Sequence, residues 1–250
     1  MPPERATALF PRFSALTPAD LAVEGHTHTD FTDGLAPPRA YADRAVSLGL
    51  SRLAFTEHIR RTSTYWPRFA HEAANLRRVG GPRIWVGFEA KVCDGEGTLD
   101  IPDAAYAAAD VVLGSVHAVP GAQGSRPPRA LPREELALAE RDFGLALVRG
   151  GRAQVLAHAG GMSLALYGDF PLDYMDALAR ECAGADVAFE VNARYHAPVL
   201  TRLLPLLARY DPRVSLGSDA HEPSQVGAIG ALLRPLLFPD APNSPARAAT

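Results

Sequence analysis

Six of the eight histidines in this chain stand where a short apolar run gives way to polar residues. His26 and His28 follow the first of these runs, and Asp33 comes five residues after His28. The later runs end in the other members of this set, which are His58, Glu89, His117, His158, Asp219 and His221. Imidazole nitrogens and carboxylate oxygens together suit Zn, Mn or Fe, and a bridging carboxylate can hold two ions close together. The chemistry indicated is therefore metal binding.

A structural interpretation competes with this one at each position. A single histidine at the end of a strand is more often a hydrogen-bonded structural residue than a ligand. The pair formed by His26 and His28 is moderately specific by itself. A metal-type side chain at almost every strand end is a stronger signal, because independent structural needs would not place one at each. His71 and His196, on a helix and in a loop, are interpreted as ordinary structural residues.

These side chains need a sheet that presents its strand ends on one side. Seven apolar runs alternate with helical patterns, and most of the runs show no alternation of apolar and polar residues, which indicates a buried parallel sheet. The predicted strands cover residues 21–25, 52–56, 83–89, 110–117, 153–158, 186–192 and 213–219. Their carboxyl ends lie on one face, where α/β barrels carry their chemistry. A barrel and an open doubly wound sheet both fit this alternation.

Helical patterns fill the intervals between these strands. They cover residues 37–49, 68–81, 132–151, 171–184, 197–210 and 224–238, and Pro205 is expected to bend the fifth helix. We predict an N-terminal arm over residues 1–20, a single domain over residues 21–238 and a disordered tail over residues 239–250.

Composition excludes several classes of protein. A length of 250 residues suits one large domain, and a formal net charge of -3 gives no overall attraction to nucleic acid or anionic membranes. Two cysteines make no disulfide framework. The N-terminus lacks the apolar core of a signal peptide, and no apolar run approaches the length of about 20 residues that spans a membrane. We therefore expect a soluble, cytoplasmic protein that does not bind membranes.

The series of strand ends resembles the PHP family, named for polymerase and histidinol phosphatase. The matching motifs, in order, are "GHTHTDFTDG", "FTEH", "GFE", "GSVH", "LAH", "EVN" and "GSDAH". They span roughly residues 24 to 228 and look closest to histidinol-phosphatase-like members. The resemblance implies an α/β fold, a distorted (β/α)7 barrel in a single domain. It also implies a hydrolase of phosphate esters, with two or three divalent metal ions as cofactors.

The resemblance also implies how the ligands divide among the ions. The groups are His26, His28, Glu89 and Asp219 for the first ion, Glu89, His117 and His158 for the second, and His58 and His221 for the third. In histidinol-phosphatase-like relatives, a histidine from the loop after the first strand completes the third site. This chain has Gly34 at that place. Asp33, one residue earlier, is predicted to substitute.

The expected mechanism follows from charge. A phosphate monoester is a dianion that repels hydroxide, and metal ions screen that charge and lower the pKa of bound water towards about 7. We expect a metal-bridging hydroxide to attack phosphorus at ions that Glu89 joins, with Asp219 or His221 moving the proton. Each ligating histidine should have a partner on its second ring nitrogen, and Glu57 is one candidate.

Four basic residues are candidates for substrate binding, and the expected partner is a small phosphorylated molecule. Arg194 matches an arginine that binds phosphate in the resembling phosphatases. Arg60 and Arg61 follow His58, and they fit a phosphate contact and a solvated loop equally well. Lys91, the only lysine, follows Glu89 by two residues and should point the same way. Relatives often have an acid there, so we expect Lys91 to meet an anionic group of the substrate.

Three other functions remain open. The first is a nuclease, exonuclease or cyclic phosphodiesterase, although neither a basic groove nor an aromatic platform for long nucleic acid is evident. The second is a non-catalytic metal-binding barrel, which the nearly complete ligand set disfavours. The third is a carbon–nitrogen hydrolase, in which a lysine usually takes the bridging place that Glu89 holds here. The exact substrate, the native metal and the oligomeric state stay open.

Overall fold

Seven parallel strands form one sheet in a computed structural model, which describes residues 9–77, 81–121 and 124–240. The strands are β1 Val23–Glu24, β2 Arg52–Ile59, β3 Arg83–Lys91, β4 Val111–Ser115, β5 Val155–Leu156, β6 Ala188–Asn192 and β7 Val214–Gly217. They pair in the order of the sequence, and every adjacent pair is parallel. All seven carboxyl ends therefore lie on one side, as the apolar runs predicted.

The first and last strands also meet, which nearly closes the sheet into a barrel. Gly25 N donates to Leu216 O at 2.8 Å, and Thr27 forms a parallel bridge with Ala220. A Cβ atom at Gly25 would lie 2.6 Å from Leu216 O, so only glycine permits this approach. Closure excludes the open doubly wound sheet, and the predicted seven-stranded α/β barrel is confirmed.

Nine helices surround the barrel within the described ranges. They are α1 Pro38–Ser47, α2 Trp66–Ala74, α3 Asp103–Ala108, α4 Arg133–Gly150, α5 Gly161–Tyr167, α6 Leu172–Gly184, α7 Ala193–His196, α8 Leu200–Tyr210 and α9 Ala228–Leu237. The sequence patterns did not predict α3, α5 or α7, because four to seven residues hold too little periodicity to register. Helix α8 continues through Pro205. None of these helices combines the length and the apolar character needed to cross a membrane.

The interior of the barrel changes from apolar to polar along its axis. Alternate residues of each strand face inward. At the amino ends of the strands the inward side chains form a small apolar cluster, which consists of Phe10, Ala54, Trp85, Val111, Leu113, Val155, Ala157 and Ala188. Towards the carboxyl ends the inward side chains become polar, and Glu89 and Glu190 among them are buried. The apolar half thus supports a polar half in which charged groups face one another.

The described part of the N-terminal arm closes the amino end of the barrel. The Phe10 ring packs edge-on against Trp85, with 5.9 Å between the ring centroids. The chain next to Phe10 runs beside β7, where Val214 N donates to Pro11 O at 2.9 Å and Phe13 N donates to Pro212 O at 2.9 Å. This placement leaves the carboxyl end as the side of the barrel that carries the candidate site. Residues 1–8 of the predicted arm and 241–250 of the predicted tail lie outside the described ranges.

Candidate metal centre

The predicted ligands converge on the Glu89 carboxylate at the carboxyl end of the barrel. Its Oε1 atom lies 2.7 Å from His158 Nε2 and 3.1 Å from His117 Nε2. Those two nitrogens are 3.3 Å apart, and Glu89 is buried. Strands β3, β4 and β5 therefore bring one oxygen and two nitrogens to a common point, the arrangement expected for the second ion.

A second point lies at the other oxygen of Glu89. His26 Nε2 and His28 Nε2 are 3.0 Å apart, and they lie 3.5 and 3.4 Å from Glu89 Oε2. Asp219 Oδ1 is 3.1 Å from His28 Nε2 and 3.6 Å from His26 Nε2. These four side chains are the set expected for the first ion, and Glu89 is shared with the second.

The third set contains the acid that was predicted to replace a histidine. Asp33 Oδ2 lies 3.4 Å from His58 Nε2 and 3.3 Å from His221 Nε2. His221 Nδ1 lies 2.9 Å from the backbone oxygen of Asp219, and a proton on Nδ1 would leave the Nε2 lone pair available to an ion held between His221 and Asp33. A side chain at Gly34 would have no room, because its Cβ atom would lie 2.1 Å from His28 O. The backbone therefore leaves no room at position 34 for the histidine that the resemblance implies there, while Asp33 lies beside His58.

Two unsatisfied atoms indicate that this cluster fits metal ions. His28 Nδ1 and Glu89 Oε2 are buried and have no hydrogen-bond partner. Burying such atoms without a partner costs free energy, and polar atoms of this kind usually require an explanation such as an ion. The described residues also include four overlapping groups of three side chains, and within each group the donor atoms lie within 4.8 Å of one another. One of these groups is His28 with His58 and His221. Lone pairs that converge in this way suit divalent cations with nitrogen and oxygen ligands.

Glu190, at the centre of the barrel, supports two of the ligands. Its Oε1 atom lies 2.7 Å from His26 Nδ1, and its Oε2 atom accepts from the backbone N–H of His158 at 2.6 Å. Burial opposes charge on both side chains, but the carboxylates of Glu190 and Glu89 outweigh it and raise the pKa of His26. Glu190 thus orients the His26 ring with Nε2 towards the candidate ions. The sequence feature that points to this role is an acidic residue inside an apolar strand, because a buried carboxylate needs a hydrogen-bond partner.

Glu24 holds together the backbone segments that carry the ligands. Its Oε1 atom accepts from Ser218 N at 2.8 Å and from His26 N at 3.1 Å, while Oε2 accepts from Gly227 N at 2.9 Å. Burial raises the pKa of Glu24 to about 7, although these hydrogen bonds oppose the rise. The ends of β1 and β7 are therefore tied through a single carboxyl group that the sequence analysis did not select.

Glu57 hydrogen-bonds to the backbone, the alternative to supporting a ligating histidine. It was expected to support a ligating histidine, but its Oε1 atom accepts from Thr29 N at 2.8 Å and from Thr29 Oγ1 at 2.6 Å. Its other oxygen accepts from Thr32 Oγ1. Glu57 instead shapes the loop after β1, because the hydroxyls of that loop lie closer to the carboxylate than any imidazole donor does.

His196 is buried and positions α7, whereas the sequence indicated an ordinary loop histidine. Its Nδ1 atom accepts from Asn192 N at 3.1 Å, and its Nε2–H donates to Ala159 O at 3.0 Å. Burial lowers the pKa of His196 to about 4, so the ring is neutral near pH 7. This ring joins α7, which carries Arg194, to the segment that carries His158.

Two of the predicted ligands have unusual backbone conformations. His158 has a φ of 27° and Asp219 a φ of 51°, both in the left-handed region that few residues other than glycine adopt. The alternation of a strand, which would place Asp219 and His221 on the same face, therefore stops at Asp219. Strain of this kind persists where the surrounding contacts hold it in place, and it is concentrated at functional sites.

The four basic candidates occupy two different places. Arg194 Nη1 donates to Asp219 Oδ2 at 3.1 Å and lies 3.0 Å from His221 Nδ1, beside a cavity of about 440 Å³. Lys91 and Arg61 share Asp100 at the end of β3, with Lys91 Nζ 3.6 Å and Arg61 N 2.9 Å from its carboxylate. None of Lys91, Arg60 and Arg61 is among the described residues that line the cavity beside Arg194.

Comparisons with known proteins agree with this geometry. The family model for the PHP domain matches residues 24–194. The curated "Probable phosphatase" of Syntrophotalea carbinolica is 29% identical over 226 residues, which cover 84% of this chain and 85% of that protein. A second "Probable phosphatase", from Caldicellulosiruptor saccharolyticus, is 26% identical over 224 residues and covers 80% of each chain.

A solved structure shares the fold. The histidinol phosphate phosphatase of Lactococcus lactis, crystallised with zinc, L-histidinol and phosphate, superposes with a TM-score of 0.65. The superposition covers 86% of this chain and 91% of that one at 18% sequence identity. At this level of identity the likeness concerns the barrel itself.

Proposed function

Because this chain belongs to the PHP domain family, we propose that it hydrolyses a small phosphate monoester with two or three divalent metal ions. The coarser activity, that of a metal-dependent phosphoesterase, follows from the family. The observation that supports the finer proposal is the shared carboxylate of Glu89, around which five imidazole rings place a nitrogen within 3.5 Å. The phosphatase names of the curated relatives and the zinc and phosphate of the Lactococcus lactis structure also support it.

The ligand assignment proposed is the one that the resemblance implied. The first ion would bind His26, His28, Glu89 and Asp219, the second Glu89, His117 and His158, and the third Asp33, His58 and His221. When bound, such ions screen the charge of a phosphate dianion and lower the pKa of water towards about 7. Nitrogen and carboxylate donors without thiols suit Zn, Mn or Fe.

The protein's own residues would handle the substrate and the proton. In hydrolysis the oxygen of water bonds to phosphorus, the bond from phosphorus to the ester oxygen breaks, and the leaving oxygen takes a proton. Arg194, at the rim of the cavity, is placed to bind two phosphoryl oxygens in a bidentate way. His221 and Asp219 lie beside it and are the groups within reach for moving the proton. Glu190 would keep His26 oriented during turnover.

The test combines metal analysis with turnover. Purified protein should contain two or three ions per chain after reconstitution with Mn or Zn, and should hydrolyse p-nitrophenyl phosphate only when they are present. We expect Glu89→Gln to lose most of the bound metal and more than about 100-fold in turnover, because losing even an outer partner of a ligand costs 10–100-fold.

Glu140→Gln provides the matched control. Glu140 is also a buried acid, but it accepts from the backbone of Met162 and Ser163 at the start of α5 and belongs to none of the ligand groups. The Glu140→Gln variant should retain its bound metal. Wild-type protein that binds less than one ion per chain and turns over no ester would contradict the proposed function.

A further inference from the structure

The cavity beside Arg194 has the size of a small-molecule site and opens next to the candidate ions. Its volume is about 440 Å³, within the range of about 300–1,000 Å³ that is usual for such sites. Asp33, Asp219 and His221 form part of its wall, so a phosphoryl group bound at the metal centre would lie at its inner end. Whatever the phosphate is attached to must then extend into this space.

Part of the cavity wall is apolar. Leu35, from the loop after β1, and Leu232, from α9, line it together with Ala193 and Ala228. The exposed fraction is 72% for Leu35 and 37% for Leu232, although both side chains could gain free energy by burial. Leu35 is held there by its backbone, because its N–H donates to His221 O at 2.8 Å. The fold therefore presents two leucines to solvent at the entrance of its own site.

The charged groups of the cavity already have other roles. The acids nearest the candidate ions are in the proposed ligand set, and Arg194 is assigned to phosphate. Glu222 accepts from the backbone of Gln225 in a capping box, and Ser224 Oγ lies 3.3 Å from its carboxylate. Lys91 does not line the cavity. Glu222 is thus the one charged group, among the described lining residues, that is assigned neither to the metal centre nor to phosphate, and a cationic substituent would have to compete with these hydrogen bonds for it.

We propose that this cavity holds the leaving group of the phosphate ester, and that the leaving group is an uncharged alcohol or phenol with an apolar face. Its carbon atoms would pack on Leu35 and Leu232. The proposal rests on the proposed function, because it assumes that a phosphate ester is bound at the metal centre. It adds a substrate class and two specificity-determining residues.

The experiment compares three esters with the metal-loaded enzyme. Phenyl phosphate carries an apolar leaving group, glycerol 3-phosphate carries a polar uncharged one, and O-phosphoethanolamine carries a cationic one. For each ester, kcat/KM of a variant is divided by kcat/KM of the wild type, so that the different intrinsic reactivities of the esters cancel. Leu232→Ser is the test variant, and Leu236→Ser is the matched control.

Leu236 suits the control because it lies on the same helix, with 47% of its side chain exposed, and does not line the cavity. We expect Leu232→Ser to lower kcat/KM for phenyl phosphate about tenfold, since one missing apolar contact typically costs 10–200-fold. The kcat/KM of Leu232→Ser for glycerol 3-phosphate should stay within about twofold of the wild-type value. Leu236→Ser should change kcat/KM for neither ester. Leu35→Ser should lower kcat/KM for phenyl phosphate as Leu232→Ser does, with little loss of stability.

Inhibitor binding provides a readout that does not depend on turnover. Benzylphosphonate should bind to the wild type more tightly than methylphosphonate, and Leu232→Ser should remove most of that difference. Equal effects of Leu232→Ser on all three esters would overturn the inference and leave the phosphatase proposal intact. So would a preference for O-phosphoethanolamine that Glu222→Gln abolishes. If the wild type hydrolyses none of the esters, the proposed function fails and takes this inference with it.

Discussion

At the residue scale, one buried carboxylate on β6 determines how two histidines from other strands are presented. Glu190 contacts the ring of His26 through one oxygen and the backbone of His158 through the other. Burial alone would raise the pKa of Glu190, but the neighbouring imidazole of His26 lowers it, so the group is ionised at neutral pH. An ionised carboxylate beside Nδ1 keeps the proton of the neutral His26 ring on that atom, and it makes the Nε2 lone pair a stronger ligand for a metal ion.

Replacing Glu190 should therefore weaken metal binding without removing a ligand. We expect Glu190→Gln to lower the affinity for Zn or Mn by about 10–100-fold, the usual effect of losing such a partner. Titration calorimetry on protein stripped of metal measures this directly. Glu140→Gln is a suitable comparison, since Glu140 is also a buried acid but accepts from backbone N–H groups at the start of α5. Equal affinities for Glu190→Gln and the wild type would show that His26 is oriented by its packing alone.

The sequence singled out the residues that converge on Glu89 more readily than the residues that support them. His26, Glu89 and Asp219 stand out because acids and imidazoles at the ends of apolar runs have few structural explanations. Glu24 and His196 do not stand out, because their roles come from hydrogen bonds to backbone atoms of distant segments. No local spacing encodes such a contact.

At the scale of elements, the loop after β1 takes its path from contacts between backbone atoms. Gly34 N donates to Thr29 O at 2.9 Å, and the His28 carbonyl fills the space that a Cβ atom at Gly34 would need. This path places Asp33 beside His58 and Leu35 at the entrance of the cavity. One glycine therefore affects both the third ligand set and the apolar rim.

A methyl group at Gly34 should disturb both the third ligand set and the apolar rim of the cavity. We expect Gly34→Ala to reduce the free energy of unfolding by about 1–3 kcal/mol, the usual cost of forced overpacking, since its Cβ would lie 2.1 Å from His28 O. Urea unfolding measures the change. Gly184→Ala is the control, because a Cβ at that helical position meets no atom within 4 Å and should be neutral or slightly stabilising. If both variants are as stable as the wild type, the loop adjusts easily and does not fix Asp33.

Helix α7 is held to the end of β5 by a histidine that is neutral in the folded protein. An unfolded histidine has a pKa of about 6.5, whereas burial lowers the pKa of His196 to about 4. Between these two values the unfolded chain binds a proton that the folded chain does not. His196 therefore reduces stability as the pH falls from about 6.5 towards 4, and adds no slope above that window.

The expected size of this effect is about 2 kcal/mol of unfolding free energy lost between pH 7 and pH 5. His196→Gln should show a pH dependence that is smaller by this amount, even if it is less stable at pH 7. Urea unfolding of both proteins at the two pH values gives the difference. Parallel curves would mean that His196 can take up a proton while the protein stays folded.

At the scale of the whole molecule, the two ends of the barrel have different tasks. The amino end is packed with apolar side chains under Phe10, and the carboxyl end gathers the charged cluster. The sequence predicted this polarity, because apolar strand interiors lead to polar strand ends throughout. The alternation of strands and helices did not by itself predict that the barrel closes, since closure depends on the approach of Gly25 to β7, a contact between segments about 190 residues apart. The closed barrel was predicted through the family resemblance.

Phe10 should contribute to the stability of the folded protein and have no effect on catalysis. Phe10→Ala removes a ring that is 4% exposed and should lower the free energy of unfolding by about 3–5 kcal/mol. The KM and kcat of the folded fraction should match those of the wild type, because the ring lies at the end of the barrel away from Glu89. A changed KM in a variant of reduced stability would show that the two ends are coupled.

The contact between the arm and β7 also bears on how the chain folds during synthesis. Pro11 and Phe13 hydrogen-bond to residues 214 and 212, which leave the ribosome about 200 residues later. At about 5–20 residues per second, the arm and the free edge of β1 wait roughly 10–40 s for their partner. Unpaired strand edges and exposed aromatic side chains promote aggregation in that interval. Expression at lower temperature or with added chaperone should therefore raise the soluble yield of this barrel, and of Phe10→Ala more than of the wild type.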